Sequence, residues 1–174
     1  MQKQKGFSLI ELLIVVAIIL IIAAIAIPNL LRARIAANES SAAASVRTIS
    51  TAELTYQNSY PSTGYATALA NLGPATGDTG CTAGPASGAA CIIDSVLGES
   101  GTTAKSGYLF TAVGSLSAGT VFTMYDVDAK PATLNTTGVK EFCAVEDNVV
   151  RYQTPSAGTG ATHAGCLGLN PIGQ

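Results

Sequence analysis

The stretch KGFSLIELLIVVAIILIIAAIAIP, residues 5–28, decides the fold of this 174-residue chain. From Phe7 to Leu31 every residue is apolar except Ser8, Glu11 and Asn29. As an α-helix this segment would be roughly 37 Å long, which exceeds the hydrocarbon thickness of a bilayer, about 30 Å. The pattern therefore predicts a transmembrane helix close to the start of the chain.

The residues that precede this helix are polar, and Lys3 and Lys5 make them basic. A basic flank places this end in the cytoplasm and the rest of the chain outside. Two alternatives stay open: a buried helix of a soluble protein, or a secretory signal peptide cut after Ala24-Ile25-Ala26. Glu11 and a helical pattern that continues for about thirty residues beyond that cut weigh against the signal peptide.

Glu11 is the one acid in the apolar run, and it has no basic residue three or four positions later. A carboxylate in hydrocarbon costs roughly 2.5–3.5 kcal/mol on insertion scales, so an acid there is a functional candidate that needs a partner. Lys5-Gly6-Phe7-Ser8-Leu9-Ile10-Glu11-Leu12 resembles the processing and methylation signature of type IV pilins and the related pseudopilins. The shared features are a short basic leader, a glycine before the cleaved bond, a phenylalanine after it and a glutamate four residues further on.

The resemblance implies that residues 1–6 are a leader peptide. A prepilin peptidase and N-methyltransferase would cut between Gly6 and Phe7 on the cytoplasmic side and N-methylate Phe7. Glu11 would then pair with the Phe7 amine of a neighbouring subunit. An α-amine with a pKa near about 8 is a cation, and each charge relieves the desolvation of the other. Loss of Lys3 and Lys5 leaves 7 − 11 = −4 for the side chains of the mature chain.

Pro28 is the only proline between Phe7 and Tyr60. Because proline has no N–H, the carbonyl of Ala24 loses its helical partner, which predicts a kink or loosening there. A proline that is simply tolerated in a transmembrane helix is the alternative. The resemblance to pilins implies an assembly role, in a segment that stretches or melts as the subunit enters a filament.

The helical pattern continues to about Tyr60, so a single helix over residues 7–60 is predicted, roughly 80 Å long. Its first part, 7–31, would form the transmembrane segment and the filament core, protruding from the rest of the protein. Its second part has an apolar stripe along one face, and the charged residues mostly lie outside that stripe. This apolar face should therefore pack on a head. The stripe consists of Leu31, Ile35, Ala42, Val46, Ile49, Tyr56 and Tyr60.

Residues 61–174 form the predicted head, which holds 17 of the 18 glycines. A loop-rich connection runs to about Gly107, with short helical candidates at 67–72 and 92–97. Asp147-Asn148 indicates a turn between the last two strand candidates, hence an antiparallel hairpin. The fold class is therefore α+β, a long helix against a small antiparallel sheet as in pilins. The strand candidates are Tyr108–Val113, Val121–Val127, Glu141–Val145 and Val149–Gln153.

Four cysteines, Cys81, Cys91, Cys143 and Cys166, allow three disulfide pairings. Nearest-neighbour pairing, Cys81–Cys91 and Cys143–Cys166, is favoured because each bond closes a glycine-rich loop of modest length. An exported head lies in an oxidising compartment, where disulfides form, and the spacing of a zinc site is absent from the sequence. The second pair would fasten the C-terminal region to the sheet, as a terminal disulfide loop does in many pilins.

The sequence offers little material for catalysis or for ligand chemistry, since charged residues make up only 11% and the net charge is −2. It contains no nucleophile elbow, zincin motif or P-loop, and bulk basicity for nucleic acid is missing. We therefore expect no enzyme, cofactor, metal or direct nucleic-acid site. His163 is interpreted as a solvated loop residue. Asp126 and Asp128 could form a carboxylate or calcium pair, but are better interpreted as solvent-facing charges at a sheet edge.

These features favour a structural subunit that polymerises into a type IV pilus, with a leader that looks like the type IVa subclass. Its implied partners are identical subunits, the prepilin peptidase, the inner-membrane assembly machinery and the membrane itself. The chain would reside in the inner membrane as prepilin and then on the cell surface. Adhesion, twitching motility or DNA uptake would belong to the filament.

Two alternatives remain for the function. A pseudopilin of a type II secretion system shares the N-terminal signature, but commonly has an acidic calcium-binding loop near its C-terminus. The segment after Tyr152 contains no acidic residue, which favours the pilin. A membrane-anchored ligand-binding domain with an unprocessed helix is the alternative from another class.

Overall fold

The computed structural model describes residues 7–78, 80–116, 119, 121–154 and 162–173. The chain divides into two compact units, Met1–Arg34 and Ile35–Gln174, and the second is called the globular unit below. One helix, α1, spans Leu9–Ser59, close to the predicted range. It ends just before Tyr60-Pro61, where the residue that precedes a proline disfavours the helical conformation.

The N-terminal unit consists of the first part of α1, whose large apolar side chains are exposed. This helix is long and apolar enough to cross a membrane by its length and composition. Exposed isoleucines, leucines and valines on every side of a helix are typical of a segment that is solvated by lipid or by other helices. The structure and the sequence pattern therefore agree on a membrane-spanning candidate.

The globular unit contains a five-stranded antiparallel sheet in which neighbours along the chain are neighbours in space, in the order β1-β2-β3-β4-β5. Two short helices, α2 (Ser95–Gly98) and α3 (His163–Leu167), and a 3-10 turn at Leu69–Leu72 accompany it. The α+β fold predicted from the sequence is confirmed. The strands are β1 (Tyr108–Leu116), β2 (Phe122–Pro131), β3 (Glu141–Val145), β4 (Arg151–Gln153) and β5 (Asn170–Pro171).

Several predicted boundaries were wrong. β1 is longer than predicted because its pairing with β2 continues beyond Val113–Asp126 to Leu116–Phe122, with one register shift. β2 is longer because it stays paired as far as Pro131, which is opposite Tyr108. β4 begins only at Arg151, since Val149 and Val150 lie in the connection between the turn and the strand. α2 starts at Ser95 because the Asp94 carboxylate caps it, accepting a hydrogen bond of 2.8 Å from the Leu97 N–H. Neither α3 nor β5 was predicted.

The core lies between α1 and the inner face of the sheet. Tyr56, Tyr108 and Tyr125 are fully buried there, and each such aromatic side chain contributes about 1.5–3 kcal/mol by leaving water. The predicted stripe is buried from Ala42 to Tyr56, whereas Leu31 is exposed in the N-terminal unit. The buried residues of α1 are Ala42, Ala43, Ser45, Val46, Ile49, Ser50, Ala52, Glu53 and Tyr56.

A second, smaller cluster covers the opposite face of the sheet. Cys143 and Val145 of β3 pack there against Cys166 of α3, with Leu169 beside them. All five residues of β3 are consequently buried, although an antiparallel strand commonly leaves one face in water. The C-terminal segment therefore acts as a third layer over β3.

Candidate functional site

The start of α1 has the glutamate half of a capping box, formed between Ser8 and Glu11. The N–H of Ser8 donates a hydrogen bond of 2.8 Å to Oε2 of Glu11, and the N–H of Leu12 donates to the carbonyl of Ser8. In such a box the acid three residues into the helix satisfies a backbone donor that has no helical partner. Its negative charge also lies at the positive end of the helix dipole. Glu11 thus holds the first turn of the helix within one chain.

This local role was missed in the sequence analysis, although Ser-x-x-Glu before an apolar run is its known signal. Glu11 is exposed, and no lysine or arginine pairs with it among the residues that the structure describes. Phe7 is also exposed, at 90% of its full accessible surface. Gly6 and the rest of the predicted leader lie outside the described residues. The carboxylate of Glu11 is thus available to a cation from another chain.

Pro28 lies inside α1, which continues as one α-helix from Leu9 to Ser59. The loss of the hydrogen bond to the carbonyl of Ala24 is therefore tolerated without ending the helix. The predicted role of Pro28 in a stretching segment stays a prediction.

Polar contacts fasten α1 to the loop before β3 in the globular unit. The side-chain amide of Asn38 donates a hydrogen bond of 2.9 Å to the carbonyl of Thr137. Oε1 of Glu39 accepts the N–H groups of Val139 and Lys140 at 3.0 and 3.2 Å. These residues are about a hundred positions apart in the chain, so the contacts are long-range. They hold α1 against the end of the sheet.

Glu53 is a carboxylic acid with no exposed surface, on the face of α1 that packs in the core. Its Oε2 accepts a hydrogen bond of 2.9 Å from the N–H of Ala66, while its Oε1 has no partner among the described residues. Burial disfavours the charged form and raises the pKa of Glu53 to about 7, although the bond from Ala66 acts in the opposite direction. Glu53 therefore links the helix to the loop that follows it.

The four cysteines form two disulfides, Cys81–Cys91 and Cys143–Cys166, in the nearest-neighbour pattern. The Cα atoms are 6.1 and 6.0 Å apart, which is within the usual range for such bonds. Cys81–Cys91 closes a surface loop, and Asp78, three residues before Cys81, accepts the N–H groups of Thr82 and Ala83 within it. Cys143–Cys166 joins β3 to α3 and lies in the second cluster.

Removing the two disulfides should have different effects. Each bond restricts the unfolded chain and thereby raises the free energy of unfolding by about 3 kcal/mol, somewhat more for the longer loop. The change Cys143→Ser with Cys166→Ser also opens the buried second cluster, so we expect a larger fall in unfolding free energy than for Cys81→Ser with Cys91→Ser. The unfolding free energies of both double variants are measured by denaturant titration of the full chain in detergent, followed by the near-ultraviolet circular dichroism of the buried tyrosines. Equal losses, or the reverse order, would contradict the layered role of α3.

His163 was wrongly interpreted as a solvated loop residue. It is the first residue of α3 and half-buried, and its Nε2 lies 2.8 Å from Oε2 of Glu146. The N–H of Gly165 donates to the hydroxyl of Thr162, which caps this short helix. The capped turn and its disulfide draw His163 against the end of β3, a long-range effect that the local sequence does not show.

Asp126 and Asp128 were wrongly placed at a sheet edge. They lie on β2, which is flanked by β1 and β3, and they are half-buried. Burial raises the pKa of Asp126, and the nearby His163 lowers it in part. Asp126 is opposite Val145 and Asp128 is opposite Cys143. Within the described ranges no three histidine, cysteine, aspartate or glutamate residues gather as a metal site would require.

Residues 1–27 of the chain match the family model described as the prokaryotic N-terminal methylation motif. The chain is also 65% identical over 40 residues to the type IV wide pilus major component PilA4 of Thermus thermophilus, which covers 23% of this chain and 30% of that protein. It is 44% identical over 54 residues to the type IV major pilin protein PilA of Myxococcus xanthus, covering 31% and 24%. No solved structure matches the chain.

The chain therefore spans less than a third of the length of either relative in these alignments. The resemblance of residues 5–12 to type IV pilins is confirmed by the methylation motif and by both relatives. Both relatives are named as pilus proteins, so these comparisons do not favour the pseudopilin or the ligand-binding domain.

Proposed function

We propose that this protein is a prepilin, the precursor of a structural subunit that polymerises into a type IV pilus on the bacterial surface. The observation that carries the proposal is the methylation motif of residues 1–27, which includes the start of an exposed apolar helix. Before assembly, that helix would hold the chain in the inner membrane. After assembly, equivalent helices would pack against each other in place of lipid, and close van der Waals packing between them would favour the polymer.

Processing and assembly are coupled in this proposal. A prepilin peptidase would cleave the bond between Gly6 and Phe7, creating an α-amine and methylating it. The new cation would bind the carboxylate of Glu11 on a neighbouring chain, since that carboxylate is exposed and has only a backbone donor in its own chain. A buried pair of this kind is favourable only when both charges are present. Uncleaved chains lack the amine at that position and would not be stabilised in the polymer.

The first test is the intact mass and N-terminal peptide of the protein in sheared, pelleted cell-surface material. We expect a chain that starts at N-methylated Phe7, with the mass of both disulfides in place. Material in the membrane fraction of the same cells, from which no filaments are sheared, is the control. An intact Met1, a start at Ile27, or processed protein confined to membranes would contradict the pilus subunit.

A further inference from the structure

A ridge on the globular unit carries an exposed apolar residue and an unpaired acid. Val96 of α2 is 61% exposed, and Glu99 follows it by one helical turn. Residues three positions apart in a helical turn lie on the same side. The carboxylate of Glu99 is exposed and makes no side-chain hydrogen bond or ion pair within the described part of the chain. We call this pair the Val96–Glu99 ridge.

A groove of about 450 Å³ lies elsewhere on the globular unit, between the outer side of α1 and the end of the sheet. At one rim, Glu39 is neutralised by Lys140 and by two backbone N–H groups. At the other rim, Arg47 is exposed and has no ion pair or hydrogen bond among the described side chains. The apolar lining, with Arg47 beside it, defines the Arg47 groove: Ala36, Ala43, Ala44, Phe142 and Ile172.

The ridge and the groove complement each other. The groove is large enough for a valine side chain, and its uncompensated charge is opposite to that of Glu99. Neither Val96 nor Glu99 lines the groove of its own chain. Contact between two different patches is heterologous, so it propagates from copy to copy and does not close a dimer by itself. A polymer of this chain would supply such copies at high local concentration.

We propose that the Val96–Glu99 ridge of one subunit docks in the Arg47 groove of another copy, with Val96 against the apolar lining and Glu99 paired with Arg47. This inference rests on the proposed function, because it makes the globular units part of the polymer contact in addition to α1. The pair fixes which neighbours meet and in which register, since like charges at the same place would repel.

Charge exchange tests the contact. Arg47→Glu and Glu99→Arg should each lower the amount of sheared filament by about tenfold, since each places like charges together. The double variant should return to within about twofold of the wild type, because the pair is restored with opposite orientation. Lys130→Glu, which makes the same charge change at an exposed residue of β2, is the matched control and should assemble normally.

The apolar half of the contact has its own matched pair. Val96→Ser should reduce assembly, whereas Val113→Ser, at a valine of β1 that is 52% exposed, should not. Normal levels in the membrane and the presence of both disulfides show that every variant folds. Three results would overturn the docking while leaving the pilus proposal intact. They are wild-type amounts of filament from the single charge variants, a double variant that assembles no better than the single ones, and an equal loss of filament with Lys130→Glu. A wild type that forms no filaments would overturn both.

Discussion

Glu11→Ala is expected to leave the protein inserted in the membrane and cleaved, but to reduce filaments by at least about a hundredfold. The substitution removes the carboxylate that would neutralise the Phe7 amine of the next subunit. An uncompensated charge in an apolar bundle costs about 3–5 kcal/mol when its partner is removed, and the loss is repeated at every added subunit. The measurement is the amount of chain in sheared filaments relative to the amount of processed chain in membranes.

The capping box makes a sharper control possible. Glu11→Gln keeps an oxygen that can accept the N–H of Ser8, and glutamine also serves in capping boxes, but it removes the charge. If the ion pair matters, Glu11→Gln should assemble almost as poorly as Glu11→Ala. Normal filaments from Glu11→Gln would instead assign the role of Glu11 to the first turn of α1 and would contradict the intersubunit pair.

Glu53→Gln is expected to abolish a pH dependence of stability in the globular unit. The pKa of Glu53 is about 7 in the folded protein, against an ordinary value of 4.5. Between these values the folded state binds more protons than the unfolded state, so the free energy of unfolding falls as pH rises from 4.5 to 7, by about 3 kcal/mol in all. The glutamine variant cannot ionise and should keep its stability across this window.

Denaturant titrations of the full chain in detergent at pH 5 and pH 8 measure this difference. Glu99→Gln is the control, since it removes an exposed carboxylate and should retain the wild-type dependence on pH. The glutamine at position 53 can still accept the N–H of Ala66, so a general loss of stability is not expected. A wild type and a Glu53→Gln variant with the same pH slope would show that Glu53 is not the group responsible.

Local patterns predicted what depends on local physics. A stretch rich in Ala, Leu, Ile and Val, with no glycine and a single proline, predicted α1 to within two residues at its start and one at its end. A short apolar run between turn residues predicted β3. Glu53 shows where an expectation based only on the polarity of a residue misleads. It lies four residues after Ile49 and three before Tyr56, which places it on the buried stripe. As a charged residue it was expected to lie outside that stripe. The spacing was the better guide, because the bond to Ala66 compensates part of the cost of burial.

The remaining misses depend on contacts between distant parts of the chain. The segment 162–173 has neither helical nor strand periodicity of its own, and α3 and β5 form where Cys166 is joined to β3 and where Asn170 and Pro171 pair with β4. The placement of Asp126 on a central strand likewise required the full strand order. A pattern within one strand does not show which neighbours the strand acquires.

The contacts of Asn38 and Glu39 determine how a polymer of this chain would bear tension. A pull transmitted along α1 into the globular unit is passed by these side chains to residues 137–140, directly before β3. β3 is hydrogen-bonded on both sides, so moving it requires the shearing of two rows of bonds. Cys143–Cys166 then limits how far the last part of the chain can unravel. The element that takes the tension is thus an interior strand, and a disulfide limits its extension.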